Sequence, residues 1–233
     1  MDIGKAFGFV FDDDQWITKI LIGAGILLLG LLFSWVLLIP LILAFAILSG
    51  YMVEIVRRVI RGDLNQLPEW DNWGTLIADG IKSIIISIVY ALPGILVSIC
   101  LGIPGGILSD NGEGIGALFT VAASCLSFLW TIVMLVVLPA AIAFWVGRDD
   151  LGAAFRFGEI LGFVRDNLAT YFVTMIMTLV ASIIGSLGSV VCGVGALATI
   201  PYSYMVTGHL YGQAYRVSGG QPAVAAPVVE DVI

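Results

Sequence analysis

Four apolar runs in this sequence are too long for the helices of a water-soluble core. They cover residues 20–56, 81–103, 115–146 and 168–215. A helix needs about 20 apolar residues to cross the hydrocarbon core of a bilayer, so the two central runs each match one crossing and the outer runs each match about two. Charged residues make up 12% of the chain, half of the roughly 25% that a soluble domain carries. The pattern predicts an all-α, polytopic membrane protein.

The two outer runs are each expected to form a helical hairpin. Pro40 lies near the centre of the first run, where proline removes a backbone hydrogen bond and disrupts a helix, so the outer turn is predicted at 34–40. The middle of the last run, 185–195, is rich in glycine and has low helix propensity. The runs together predict about six transmembrane helices, arranged as three hairpins.

The distribution of cations predicts the orientation, because short cytoplasmic loops carry an excess of Lys and Arg. All ten cations fall into four groups: Lys5 and Lys19; Arg57, Arg58, Arg61 and Lys82; Arg148, Arg156 and Arg165; and Arg216. The polar loop 105–114 contains none and is predicted to lie outside. If all four groups are cytoplasmic, the chain is a multi-pass protein of the cell membrane with both the N- and C-termini cytoplasmic. A re-entrant first hairpin, which enters and leaves the membrane on the cytoplasmic side without crossing it, would leave the cation groups on the same side and is the alternative.

The connections between hairpins show the periodicity of amphipathic helices. Apolar residues recur at helical spacing over 73–84 and over 157–168, which predicts interfacial amphipathic helices that join the hairpins. Residues 1–218 are expected to form a single membrane-embedded helical domain. Residues 219–233, with two prolines among small and acidic residues, are expected to form a flexible C-terminal tail.

Several short motifs follow one another in a specific order. They are GYM at 50–52, RRVIRG at 57–62, LPEWDNWG at 67–74, DGIK at 79–82, AAF at 153–155 and GQAY at 212–215, together with Pro139, Asn167 and Tyr171. This series resembles the signature of a prokaryotic integral-membrane family catalogued as domain of unknown function 4013. The resemblance implies a multi-span membrane fold, and no activity, cofactor or catalytic residue is established for that family.

The most distinctive polar residues are Arg57, Arg58 and Arg61 with Trp70 and Trp73. Cations just cytoplasmic of a crossing can bind anionic headgroups, and tryptophan suits the headgroup level, so these five residues are candidate contacts for lipid or a partner. Alternatively, the cations only fix orientation. We favour this second role, because four acids in the same stretch neutralise its four cations.

Glu54 and His209 are candidate intramembrane polar residues. Glu54 lies three and four positions before Arg57 and Arg58, so an anchoring ion pair along the helix is favoured over an ion-binding site. His209 is the only histidine and could bind a ligand or relay a proton. A packing role is favoured, because no second ligand lies nearby in sequence.

Other classes of function lack support in the sequence. A net charge of −7 disfavours nucleic acid as a partner, and no metal-ligand spacing, phosphate loop or nucleophile motif is present, so no cofactor and no enzymatic activity are predicted. Cys100, Cys125 and Cys192 lie in apolar runs and are expected to be small buried residues.

The sequence therefore predicts a non-enzymatic membrane scaffold or interaction protein. Its expected partners are the lipid bilayer and a membrane protein, either of another kind or a second copy in a homo-oligomer. The alternative is a channel or transporter for a small solute or ion, because helices broken at Pro40 and at 185–195 could build a site near the midplane.

Overall fold

The computed structural model describes residues 1–34, 38–63, 66–110, 114–190 and 194–221. Every regular element in these ranges is helical, which confirms the predicted all-α class. Parts of the two predicted outer turns, residues 111–113 of the predicted outside loop, Cys192, and the predicted tail from residue 222 onwards lie outside the described residues.

The described residues form nine α-helices. They are α1 (Ile3–Gly8), α2 (Trp16–Phe33), α3 (Ile39–Arg61), α4 (Trp73–Val97), α5 (Ile103–Asp110), α6 (Gly114–Arg148), α7 (Phe157–Asp166), α8 (Leu168–Leu187) and α9 (Ala196–Val217) among the described residues. Short 3₁₀ segments occupy Phe9–Asp12, Leu151–Phe155 and Gly188–Val190, and a π turn at Ser98–Gly102 joins α4 to α5.

Among the described residues, five helical segments are long and apolar enough to cross a membrane. They are Trp16–Phe33, Ile39–Arg61, Trp73–Ser109, Gly114–Arg148 and Leu168–Val190. The protein is therefore a multi-pass integral membrane protein. Helix α9 has 22 residues but is not among these five, so a sixth crossing stays a prediction.

The apolar helices pair as antiparallel hairpins. In the first, Gly30 of α2 lies against Ala44 of α3, whereas Gly23 faces Pro201 of α9 and, less closely, Leu48 of α3. In the last, Gly185 and Gly188 of the α8 arm lie against Ser203 and Thr199 of α9. Glycine allows the two backbones of each hairpin to approach closely, as is common between membrane helices.

The central hairpin replaces most of the loop predicted at 105–114. Helix α5 continues to Asp110 and α6 begins at Gly114, so the prediction of a polar loop with a glycine turn around Pro104 is wrong over this stretch. Proline lacks the N–H that would bond to the preceding turn, and the π turn at Ser98–Gly102 lies directly before it. Gly105 packs on Thr120 of α6, so helix pairing outweighs the low helix propensity of glycine.

The cysteines of this hairpin also differ from expectation. Cys100 and Cys125 are free and exposed, so the prediction that they are buried is wrong. The two arms of the hairpin meet at a seam in which the hydroxyl oxygens of Ser98 and Ser127 lie 3.0 Å apart. Cys100 and Cys125 each lie two residues from one of these serines, on a different face of the helix, and are therefore outside the seam.

Only one of the two predicted joining helices is a separate element. Trp73 begins α4, which runs unbroken to Val97, so the first amphipathic stretch is the start of a long helix. The second is α7, which buries Ile160 and Val164 and exposes Phe157 and Leu161.

Contacts between distant elements bring the cationic helix ends together. Lys19 pairs with Glu69, Lys82 lies over the ring of Trp145, and Arg216 donates to the carbonyl oxygen of Val59. We call this the charged end: the starts of α2, α4 and α8, the ends of α3, α6 and α9, and the connections between them. Helix α1 also belongs to this end, because its Lys5 lines a cleft with Arg216. The charged end thus holds all four cation groups, and the side of the membrane that it faces stays a prediction.

Candidate functional site

A buried ion network joins α3 to α4 at the charged end. The guanidinium of Arg57 donates to Glu54 and, at 2.7 Å, to Asp79 of α4. Lys82 donates to the other oxygen of Asp79 at 2.9 Å, and Arg58 lies 3.7 Å from Glu54. Asp79 is 4% exposed, and its two cations compensate the cost of burying its charge.

Two glycines position this network. Gly50 of α3 faces the backbone of Leu76, and Gly80 of α4 faces the backbone of Ala46. A Cβ atom at either glycine would overlap a carbonyl oxygen of the other helix. The absence of both side chains lets α4 contact α3 directly, one residue after Asp79.

A second ion cluster ties the N-terminal segment to the connection between α3 and α4. Lys19 is buried and pairs with Asp13 at 2.9 Å and Glu69 at 2.7 Å. Asp13 also accepts hydrogen bonds from the backbone N–H groups of Gln15 and Leu67. Burial alone would raise the pKa of Asp13, but these hydrogen bonds together lower it below its usual value.

An aromatic stack holds the same connection against α3. The rings of Tyr51 and Trp70 stack with centroids 4.0 Å apart, and Trp70 lies 5.9 Å from Trp73. Tyr51 donates to the carbonyl oxygen of Pro68 and Trp70 to that of Lys19. Trp70 is buried, whereas Trp73 is 42% exposed, so Trp73 alone of the two predicted tryptophans offers a large surface.

His209 belongs to a separate cluster on α9. Its ring is fully buried and stacks on Phe9 at 4.2 Å. Nδ1 lies 3.1 Å from Nε2 of Gln213, and because an amide N–H can only donate, Nδ1 is the acceptor. Gln213 also exchanges two hydrogen bonds with the backbone of Asp2. His209 therefore helps to hold the N-terminal segment on α9.

The structure brings some of the predicted residues together and separates others. Glu54, Arg57 and Arg58 share one network, whereas Arg61 is exposed at the end of α3 and makes no ion pair with any residue that the structure describes. No group of three or more His, Cys, Asp or Glu side chains suited to a metal occurs among the described residues.

Sequence reasoning missed the residues that complete these clusters. Asp13 and Lys19 lie 54 and 48 positions from Leu67, and Gln213 lies 211 positions from Asp2. The one available signal was Asp79, an acid within the DGIK motif directly before a long apolar run. These charges fix helices and connections to one another, and the Lys19 cluster lines a cleft of about 380 Å³.

No curated protein and no solved structure matches this chain. One family model, described as "Protein of unknown function (DUF4013)", matches residues 32–194, more than half of the chain. The match includes the α3–α4 network, the central hairpin and α7, and ends before His209 and the GQAY motif. The chain therefore belongs to the DUF4013 family of proteins of unknown function, as the order of its motifs predicts.

Proposed function

We propose that this integral membrane protein is a non-enzymatic scaffold that binds another membrane protein through the hairpin of α4, α5 and α6. In this proposal the charged end faces the cytoplasm of the cell and holds both termini there. Its ion pairs keep the base of the bundle rigid, so the hairpin is presented in a fixed direction.

The supporting observation is how little of the central hairpin is covered. In the apolar stretches of its two arms 11% of the residues are buried, against 61% in α3. Helix α5 and the π turn pack mainly against α4 and α6, and Leu118 and Phe128 are 70% and 66% exposed. The outer part of the hairpin thus presents most of its surface to its surroundings.

Small and hydroxyl-bearing residues build the seam inside the hairpin. Thr120 packs against Gly105 of α5, and the hydroxyl oxygens of Ser127 and Ser98 lie 3.0 Å apart. Such residues let two membrane helices approach closely. The surface left for a partner is therefore the apolar one that Leu118 and Phe128 expose.

The channel or transporter alternative has less support. Pro40 lies in the first turn of α3, and the described parts of the glycine stretch, 185–190 and 194–195, lie at the end of the α8 arm and directly before α9. Both lie at an end of an apolar segment, whereas transporters build their sites from breaks near the midplane. Liposome flux measurements with the purified protein test this alternative. It requires that the protein transport an ion or small solute at a rate above that of empty liposomes.

Photo-crosslinking in native membranes tests the scaffold proposal. A photoreactive phenylalanine analogue replaces Phe128 on α6 or, as the matched control, Phe172 on α8, which is 52% exposed. We expect a reproducible adduct with one membrane protein at position 128 and lipid adducts at position 172. Lipid adducts alone at both positions, with monomeric protein recovered in mild detergent, contradict the proposal.

A further inference from the structure

A polar cleft lies at the charged end between the ends of α6, α7 and α9. It encloses about 530 Å³, within the range of small-molecule sites. Phe144, Phe163 and Tyr215 line one part, and Arg148, Glu159 and Asp166 line the other. None of these residues takes part in the α3–α4 network or the N-terminal cluster.

The aromatic part of the cleft already binds a cation from the chain itself. The guanidinium of Arg148 lies 4.4 Å from the ring centroid of Phe144, a distance at which a cation is attracted to the ring face. Phe163 contacts both Phe144 and Tyr215, with centroids 5.0 and 5.8 Å apart. The three rings therefore form one apolar wall next to the polar groups.

The rest of the cleft presents two carboxylates, those of Glu159 and Asp166, beside the guanidinium of Arg148. Helices α6, α7 and α9 all end here, and the C-terminus of a helix carries a partial negative charge. Glu159 accepts hydrogen bonds from Arg148 through both carboxylate oxygens, and the pKa of Glu159 is lowered mainly by this pairing. Asp166 and its ion-pair partner Arg165 are 70% and 86% exposed and lie 3.7 Å apart, so a cation in the cleft would compete with Arg165 for this carboxylate.

One wall of the cleft is bare backbone. Gly158 and Gly162 lie one turn apart on α7 and line the cleft, and a Cβ atom at either would meet nothing within 4 Å. Glycine inside a helix costs about 1 kcal/mol relative to alanine. Two such positions on one face leave room for a bound group against the helix.

We propose that this cleft binds a cationic nitrogen group, held by Asp166 and by the faces of the aromatic wall, in a position that Arg148 partly occupies. The group is an amine or a quaternary ammonium, from either a free organic cation or the headgroup of an amine-bearing phospholipid. This site is independent of the proposed scaffold function, because it lies at the charged end and not on the outer part of the central hairpin, where Leu118 and Phe128 are exposed.

Titration of the full-length protein with tetramethylammonium, followed by calorimetry in detergent, tests the proposal. We expect saturable binding that weakens about tenfold in Asp166→Asn and in Phe163→Leu. Asp149→Asn is the matched control, because it removes the same charge from an exposed residue next to Arg148 that does not line the cleft. Arg148→Gln is expected to tighten binding severalfold, since it removes the internal competitor from the face of Phe144.

Two results would overturn the proposal: absence of saturable binding in the parent protein and in Arg148→Gln, or equal weakening in Asp149→Asn and Asp166→Asn. Native mass spectrometry then distinguishes the source of the cation. Retention of phosphatidylethanolamine over phosphatidylglycerol, lost in Asp166→Asn, supports a lipid headgroup, and tetramethylammonium binding without this preference supports a free cation.

Discussion

Tyr51 shows how one side chain can fix a connection that has no helix of its own. Its ring stacks on Trp70 and its hydroxyl group donates to the carbonyl oxygen of Pro68 at 2.8 Å in a buried setting. Tyr51→Phe keeps the stack and leaves the carbonyl without its donor, so we expect a loss of about 1–2 kcal/mol. Thermal unfolding in detergent measures this loss. Tyr51→Leu also removes the stack and is expected to be less stable than Tyr51→Phe. Equal stability of the two variants would show that the ring contact contributes nothing.

Asp13 couples the stability of the N-terminal segment to pH. The pKa of this carboxyl group is lowered on folding, so its contribution is fully present above its unfolded value of about 4 and is lost as pH falls through the lower folded value. Asp13→Asn is expected to lower the free energy of unfolding by about 3 kcal/mol at pH 7. This value is at the lower end of the range for a broken buried ion pair, because Glu69 still pairs with Lys19.

The same substitution should matter much less in acid. The difference in melting temperature between the parent and Asp13→Asn is expected to narrow as pH falls from 5 to 3. Asp14→Asn is the control, since Asp14 is exposed and makes no ion pair among the described residues. A constant difference across this pH range would show that the carboxylate of Asp13 does not carry the effect.

At the scale of elements, the crossing of α3 and α4 depends on two residues without side chains. Gly80→Ala places a methyl group against the carbonyl oxygen of Ala46, and backbone cannot move aside as a side chain can. We expect a loss of at least about 3 kcal/mol or failure to fold, measured by unfolding in detergent. Gly74→Ala on the same helix meets nothing within 4 Å and is expected to be neutral or stabilising by up to about 1 kcal/mol.

The elements themselves could largely be predicted from the sequence, because length and hydropathy determine which segments suit the bilayer. The pairing of Glu54 with Arg57 was likewise predictable, since residues three apart on a helix are neighbours. Gly80 differs from Gly74 only in its tertiary surroundings, and no local pattern distinguishes the two. The prediction of a loop at 105–114 was wrong for a related reason. The glycine and polar residues of this stretch favour a loop, and its helical structure depends on packing against α6. The partners of Lys19 depend equally on how distant segments meet.

At the scale of the whole molecule, the central hairpin is longer than the bilayer it crosses. Exposed apolar residues extend along its first arm from Ile81 to Ile107, about 40 Å at 1.5 Å per residue. The hydrocarbon core is about 30 Å thick, so the hairpin must tilt by roughly 40° or extend beyond the lipid. On either side of its polar tip, Ile107, Ile115 and Leu118 are 59%, 57% and 70% exposed. Extending such residues into water would cost about 25 cal/mol per Å² of apolar surface, so we expect tilting.

Cysteine labelling in sealed, oriented vesicles distinguishes these two arrangements. In a chain whose three cysteines are replaced by alanine, Leu118→Cys is expected to react with a lipid-soluble maleimide and not with a charged, membrane-impermeant one. Arg165→Cys, at an 86% exposed side chain of the charged end, is the control, and the impermeant reagent should modify it from the cytoplasmic side only. Modification of Leu118→Cys by the impermeant reagent would mean that the hairpin passes through the bilayer into water. The partner-binding surface of the hairpin would then have to be sought outside the membrane.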